Sequence, residues 1–155
     1  MSNAPEAPTP AKAGWSTPML HVVEVERSIR FYRLLGFELI DVEGEEGRPL
    51  AWARMATADG SAVMFLQAES EHTVTPELRG IVLVLYTSEL AALRAQLVAA
   101  GEKPTAVERP PWMPSGHLMV RDPDGYSIGV NQWGDTEHEA WLGQLEKKRA
   151  AGRIP

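Results

Sequence analysis

The chain has 155 residues, a formal net charge of −6 and no cysteine. The length fits one domain or two small fused halves, and the lack of cysteine excludes disulfides, thiolate catalysis and zinc–thiolate sites. The acidic balance disfavours nucleic-acid binding, and no apolar run reaches the roughly 18 residues that a membrane span needs. We therefore expect no nucleic-acid partner, no membrane association and, since no secretory pattern opens the chain, a cytoplasmic location.

The two ends of the chain differ from its centre. Residues 1–14 are rich in proline and alanine and are predicted to form a disordered leader. Residues 15–134 are expected to form a single domain, and 135–155 a C-terminal helix and tail. In that tail, Thr136 and Glu139 have the spacing of a capping box, which predicts where the helix begins.

The centre repeats at an interval of 65 residues without a gap. The landmarks that coincide under this shift are Gly36 with Gly101, Asp59 with Asp124, Gly60 with Gly125, and His21 with Tyr86. Both Gly36 and Gly101 follow a helical pattern, and both Asp-Gly pairs separate strand-like runs. We therefore predict two equivalent modules, at about 17–67 and 82–132.

Each module is predicted to contain a strand, a helix and three further strands. The segments are PMLHVV, VERSIRFYRLLG, FELIDV, LAWARMA and SAVMFLQ in the first module, and IVLVLY, SELAALRAQLVAAG, KPTAV, GHLMVR and YSIGVNQ in the second. Ser88 is the expected N-cap of the second helix. The predicted fold class is α+β, with two tandem βαβββ modules forming a curved mixed sheet around a central cavity, plus a C-terminal helix.

Two segments, TPMLHVVEVERSIRFYRLLGFEL (17–39) and MVRDPDGYSIGV (119–130), resemble the glyoxalase / bleomycin-resistance / extradiol-dioxygenase superfamily, also called vicinal oxygen chelate proteins. In the metal enzymes of that family, His and Glu side chains hold one divalent ion in the cavity. The positions that correspond to those ligands are Thr17, Met64, Val82 and Gly129. None is an imidazole or a carboxylate, of which a catalytic metal needs about three. We therefore expect no metal site and no cofactor.

The family fold implies a ligand cavity lined by side chains from both modules. The residues expected to line it are Thr17, Met19, His21, Trp52, Arg54, Met64, Val82, Tyr86, Trp112, His117, Gly129 and Asn131. Trp112 lies in the proline-rich segment RPPWMPSGH, which we predict to place an aromatic ring over the mouth of the cavity.

Three functions are compatible with these residues. The favoured one is a metal-free protein of the bleomycin-resistance kind that sequesters or carries a small, partly aromatic organic ligand in an apolar cavity. The alternative is a lyase, isomerase or dioxygenase-type enzyme that uses His21 or His117 as a base or as a displaced metal ligand. The third is an interaction module whose cavity is filled by side chains. The family resemblance also implies a homodimer.

Overall fold

The computed structural model describes residues 16–69 and 80–155 of the chain. The expected leader and residues 70–79 of the segment between the modules lie outside these ranges. None of the helices within them combines the length and apolar character needed to cross a bilayer. The elements in chain order are β1 (Met19–Val22), α1 (Val25–Leu34), β2 (Glu38–Glu43), β3 (Trp52–Ala56), β4 (Ala62–Gln67), β5 (Val82–Thr87), α2 (Leu90–Ala99), β6 (His117–Arg121), β7 (Ser127–Gln132) and α3 (Asp135–Ala150).

The strands form two small mixed sheets, one from each half of the chain. The first has the order β1-β4-β3-β2 and the second the order β5-β7-β6. Each contains one parallel pair, β1 with β4 and β5 with β7, while the other pairs are antiparallel. The predicted α+β class with a C-terminal helix is confirmed, but the strands form two sheets rather than one continuous curved sheet.

The register of the two sheets follows the same shift of 65 residues that relates the two halves of the sequence. The strand pairs related by this shift are Met19–Met64 with Val84–Gly129, and Trp52–Leu66 with His117–Asn131. Equivalent sequence positions therefore occupy equivalent places on the two sheets. Differences between the modules can be compared residue by residue.

The second module lacks the fourth strand that was expected at 103–107. Pro104 has no N–H to donate to a ladder. The neighbouring Thr105 donates its own N–H to Met119 O (2.8 Å) but accepts the Met119 N–H with its side-chain oxygen (3.0 Å). This side-chain bond replaces a backbone bond, so no strand forms at 103–107, and the regular pairing with β6 is an isolated bridge between Glu108 and His117.

Two predicted helix caps are wrong. The N-cap of α2 is Glu89 rather than Ser88, and the Leu90 N–H is satisfied from β7, where Gln132 Oε1 accepts it at 3.1 Å. Helix α3 begins at Asp135, and Glu137 rather than Glu139 reaches back to cap it. Its carboxylate accepts the Gly134 N–H at 2.8 Å, which satisfies a donor that the helix itself leaves free.

The core lies between the helices and one face of each sheet. Strand side chains alternate in direction, so every second residue points toward the helices. The buried strand residues that point toward the helices are Leu20, Val22, Ala53, Met55, Val63, Phe65, Leu118, Val120, Ile128 and Val130. Tyr32 of α1 is fully buried among them, with its ring centroid 4.7 Å from that of Phe65.

The two modules meet at a cluster of polar contacts, which we call the closed joint: Val23, Arg27, Tyr32, Asp122 and Asp124. Tyr32 and both aspartates are buried. Asp124 Oδ1 accepts the Val23 N–H at 2.9 Å and an Arg27 guanidinium N–H at 3.2 Å. The Tyr32 hydroxyl donates to Asp122 Oδ2 at 3.1 Å. Because both aspartates belong to the second module and their partners to the first, these bonds hold the modules together.

The electrostatics of the closed joint follow from its burial. Removal from water raises the pKa of Asp122 above its ordinary 3.8, opposed by hydrogen bonds from the Tyr126 and Asp124 backbone and from the Tyr32 hydroxyl. Burial, followed by the charge of Asp122, raises the pKa of Tyr32. The phenol therefore stays protonated and remains a donor to Asp122.

The equivalent place on the other side of the molecule is open. A groove of about 570 Å³ lies there, lined among others by Thr57 and Asp59 of the first Asp-Gly turn and by Glu89 of the second module. Under the shift of 65, Arg27 corresponds to Ala92, which also lines the groove. Since alanine offers no cation, the described residues 16–69 and 80–155 give Asp59 no counterpart of the Arg27–Asp124 bridge.

Candidate ligand-binding site

Each sheet has one face that points away from its helix, and we call these the first and second open faces. The first open face carries Met19, His21, Trp52, Arg54 and Met64, and the second carries Val82, Tyr86, His117, Gly129 and Asn131. Thr17 precedes β1, and Trp112 lies in the loop before β6. The structure thus divides the twelve predicted residues into two groups, one on each sheet.

Within one chain these faces are open surfaces. The exposed fractions are 46% for Met19, 54% for Val82, 60% for Tyr86 and 63% for Trp112. Large apolar side chains that lie together on a sheet are usually covered. The two open faces are therefore suited to bind a ligand or another protein surface.

The second open face contains a hydrogen-bonded pair at its centre. His117, Asn131 and Tyr86 are cross-strand neighbours on β6, β7 and β5. His117 Nδ1 lies 2.7 Å from Asn131 Oδ1, and the Asn131 side chain is almost completely buried. A buried amide cannot turn freely toward water, so it holds the imidazole ring in one orientation.

Gly129 provides the space in which this ring lies. A Cβ atom at position 129 would come within 3.2 Å of His117 Cε1 and 3.3 Å of Met119 Sδ. Both side chains therefore lean over the glycine. Position 129 is one where metal enzymes of this fold are expected to carry a ligand. In this chain it carries no side chain, and His117 and Met119 occupy the space above it.

The loop before β6 places Trp112 against the same histidine. The Trp112 and His117 rings meet edge to face with centroids 4.8 Å apart. Met113 is buried and anchors the loop, and the Arg109 guanidinium donates to the carbonyls of Pro114 and Ser115 at 3.4 and 3.1 Å. An anchored loop thus presents an exposed indole beside the second open face.

A further group of aromatic rings was missed by the sequence reasoning. Trp133 follows β7, and its ring meets Tyr86 edge-on at 5.5 Å and Trp141 at 6.2 Å. His138 packs on both Trp133 and Trp141. The available signal was strand alternation, because Trp133 lies two residues after Asn131 and therefore continues the same face.

The first open face has a different character. Thr17 and Arg54 line a groove of about 560 Å³, together with Leu83, Val84 and Leu85 of β5. His21 is half-buried, and its backbone carbonyl accepts the Tyr126 hydroxyl at 2.9 Å. The structure therefore brings Thr17, His21 and Arg54 next to the second module. Trp52 and Met64 lie on the neighbouring strands β3 and β4 of the first sheet.

The donor set does not fit a metal ion. Thr17 precedes β1, Val82 begins β5, and Met64 and Gly129 lie within β4 and β7; together the four offer one hydroxyl and one thioether. Within residues 16–69 and 80–155, no three His, Asp or Glu side chains are grouped so as to hold a metal. His21 and His117 lie on different sheets.

A family model described as Glyoxalase/Bleomycin resistance protein/Dioxygenase superfamily matches residues 16–130. Because the match covers most of the chain, the chain belongs to that superfamily. No curated protein matches the chain in sequence.

Several solved structures share the fold. A bleomycin resistance determinant encoded on the transposon Tn5 is 20% identical, with a TM-score of 0.61 over 77% of this chain and 98% of that chain. A bleomycin-binding protein complexed with bleomycin is 19% identical, with a TM-score of 0.61 over 79% of this chain and 100% of that chain. TnmS3, an antibiotic binding protein from Streptomyces sp. CB03234, is 24% identical, with a TM-score of 0.60 over 80% of this chain and 100% of that chain.

Proposed function

We propose that the protein is a metal-free binding protein that sequesters or carries a small, partly aromatic organic molecule, with the second open face as the centre of its site. The observation that carries this proposal is the exposed indole of Trp112 beside the fixed His117–Asn131 pair. Aromatic rings with exposed faces and a few oriented polar groups are the usual composition of small-molecule sites.

The extent of the face supports a ligand larger than one ring. Tyr86 extends it on one side, and on the other Met119 leads into a groove of about 640 Å³. Arg121 and Lys103 also line that groove, so the apolar surface ends at cationic groups. The relatives of the same fold that bind bleomycin or another antibiotic favour a ligand of that kind for this chain.

We propose further that the protein is a cytoplasmic homodimer. Strand β5 is an edge of its sheet and exposes Val82, Val84 and Tyr86, and Ile81 just before it is exposed as well. An exposed apolar edge strand tends to be covered by another chain, and a second copy would turn the open faces into walls of a cavity. Light scattering that gives a mass near 17.0 kDa, the mass of one chain, would contradict the dimer.

The test of binding is a thermal-shift screen with bleomycin and a panel of planar aromatic antibiotics. A ligand present at about 100 times its Kd stabilises the folded state by about 2.7 kcal/mol, which raises the Tm by several degrees. Trp112→Ala should abolish the shift without lowering the Tm of the free protein by more than about 2 °C, since the ring is largely exposed. Trp141→Ala removes an exposed ring from α3 and is the control, with most of the shift retained.

A screen in which no compound raises the Tm would contradict the proposal. So would a Trp112→Ala variant that responds as the wild type does to a compound that binds.

One observation also favours an enzyme. Asn131 orients His117 through Nδ1, which leaves the other ring nitrogen able to accept a proton, as in a general base of a lyase or isomerase. A bound compound recovered chemically changed after incubation, with the change lost in His117→Phe, would establish this second candidate.

A further inference from the structure

We infer that His117 is the specificity-determining residue of the second open face: its Nε2 atom is a fixed hydrogen-bond acceptor that selects ligands carrying an N–H or O–H donor on an aromatic ring. The inference rests on the proposed binding function and adds the chemical class of the ligand. It does not depend on which particular molecule is bound.

The tautomer of His117 follows from its partner. Asn131 Oδ1 carries no hydrogen, so the 2.7 Å contact requires the hydrogen to be on Nδ1 of the imidazole. A neutral imidazole protonated at Nδ1 has its lone pair on Nε2. Within residues 16–69 and 80–155, the Asn131 contact is the hydrogen bond of the His117 side chain, so Nε2 has no donor from this part of the chain.

The acceptor is also held in place. The Trp112 ring meets the imidazole edge to face at 4.8 Å, and the missing Cβ of Gly129 lets the ring lie close to the strand. Three features therefore restrict the ring: a hydrogen bond, an aromatic contact and the surface of β7. A group that is already ordered loses little conformational entropy when a ligand binds.

A fixed acceptor discriminates between ligands because leaving it unpaired on binding costs free energy. A ligand that covers Nε2 without donating to it removes the lone pair from water and returns no hydrogen bond. A site with this property rejects analogues that lack the donor more strongly than a purely apolar pocket does. An aromatic ring beside the donor is favoured, because the exposed ring of Trp112 contacts the histidine and the exposed ring of Tyr86 lies on the same face, on the far side of β7.

The equivalent place in the first module has no such acceptor. Trp52 corresponds to His117 and Leu66 to Asn131 under the shift of 65, and the two are cross-strand neighbours in the same way. An indole N–H can donate but cannot accept, and leucine offers no polar atom. Discrimination between donor and non-donor ligands therefore belongs to the second sheet.

The first experiment measures the tautomer directly. Nitrogen-15 NMR of the imidazole distinguishes a protonated Nδ1 from a protonated Nε2, and His117 is assigned from the spectrum of His117→Phe. Protonation at Nδ1 at neutral pH is expected. A hydrogen on Nε2 would overturn the inference and leave the binding function standing.

The second experiment compares two probes of the same bicyclic shape, indole and benzothiophene, by NMR titration. Indole carries an N–H where benzothiophene carries sulfur, and it should bind roughly three- to tenfold more tightly, with a shift of the His117 Nε2 resonance. In His117→Phe the two probes should bind equally, because the ring remains and the acceptor is gone. In Asn131→Asp the carboxylate favours the doubly protonated ring, whose Nε2 is a donor, so the preference for indole should also disappear.

The possible outcomes distinguish a failure of the role of His117 from a failure of the proposed binding function. Equal affinities for the two probes in the wild type would overturn the role of His117 while showing that the face binds aromatic rings. Binding of neither probe at millimolar concentration would overturn the proposed aromatic site and the inference with it.

Discussion

The two modules have the same backbone plan, and they differ in what their hairpin turns contact. In the first turn Thr57 N donates to Ser61 O (2.8 Å), and in the second Asp122 N donates to Tyr126 O (3.0 Å). The first turn is exposed beside an open groove, whereas Asp122 and Asp124 of the second are buried in the closed joint. An Asp-Gly turn can therefore be either exposed or buried with the same backbone geometry. Which of the two occurs depends on the side chains around the turn.

The open faces differ in the same way. Met64 of the first module corresponds to Gly129 of the second, and Trp52 corresponds to His117. The glycine admits an imidazole ring close to the strand, whereas the equivalent residue of the first module, Met64, carries a side chain of its own. Each difference between the modules can be tested by changing one member of an equivalent pair and using the other as its control.

The largest effect is expected at the closed joint. Asp124→Ala removes the acceptor of the Val23 N–H and of the Arg27 guanidinium, and the loss of a charged, buried acceptor should lower the free energy of unfolding by about 2–3 kcal/mol. Asp59→Ala changes the equivalent exposed residue and should stay within about 0.5 kcal/mol of the wild type. Urea unfolding of both variants measures the difference, and equal losses would show that the joint does not depend on Asp124.

A smaller effect is expected on the second open face. Gly129→Ala places a Cβ 3.2 Å from His117 Cε1, which is tighter than ordinary contact, so the imidazole ring must shift slightly. We expect a cost of about 1 kcal/mol in stability, together with a changed imidazole resonance of His117 and weaker ligand binding. Met64→Ala, the equivalent position, should leave the His117 resonance unchanged. An unchanged resonance in Gly129→Ala would mean that the glycine is not what positions the ring.

The smallest effect is the pH dependence of the closed joint. Burial raises the pKa of Asp122, so the folded chain holds this proton more tightly than the unfolded chain does. The contribution of Asp122 to stability is therefore fully present below its ordinary pKa of 3.8 and is lost as the pH rises through the higher folded value.

Asp122→Asn cannot ionise and keeps an oxygen acceptor for the turn. Its stability relative to the wild type should therefore improve as the pH rises from about 4 to about 7, by less than the loss expected for Asp124→Ala. Thermal unfolding at a series of pH values gives this difference. A difference that stays constant with pH would show that the pKa of Asp122 is the same in the folded and unfolded chains.

Most of the fold could be predicted from local signals. Gly36 and Gly101 take left-handed conformations, with φ of 86° and 85°, and end the two helices where the sequence placed those ends. The two Asp-Gly turns fixed the hairpin registers, so the shift of 65 residues carried over directly into strand pairing. The prediction of a strand at 103–107 was wrong because the Thr105 side chain takes the Met119 N–H, and no local sequence pattern indicates that bond.

The site was less predictable, because its geometry depends on contacts between distant segments. The sequence identified His117 and Asn131 as candidates but not as a pair, although the turn at Asp124-Gly125 sets their strands opposite one another. The closed joint was missed altogether. Tyr32 lies 90 residues from Asp122, and in the sequence it fits the apolar face of α1 like any other aromatic residue. Its role depends on how the modules dock.

The attachment of α3 has a consequence for the energy landscape of the chain. The helix has sixteen residues, none of them buried, and contacts the body through the rings of Trp133, His138 and Trp141. An isolated helix of this length is only marginally stable in water. Its amide hydrogens should therefore exchange with solvent by local opening, at a free energy well below that of the strands. We therefore expect the helix to open and re-form while the two sheets remain folded.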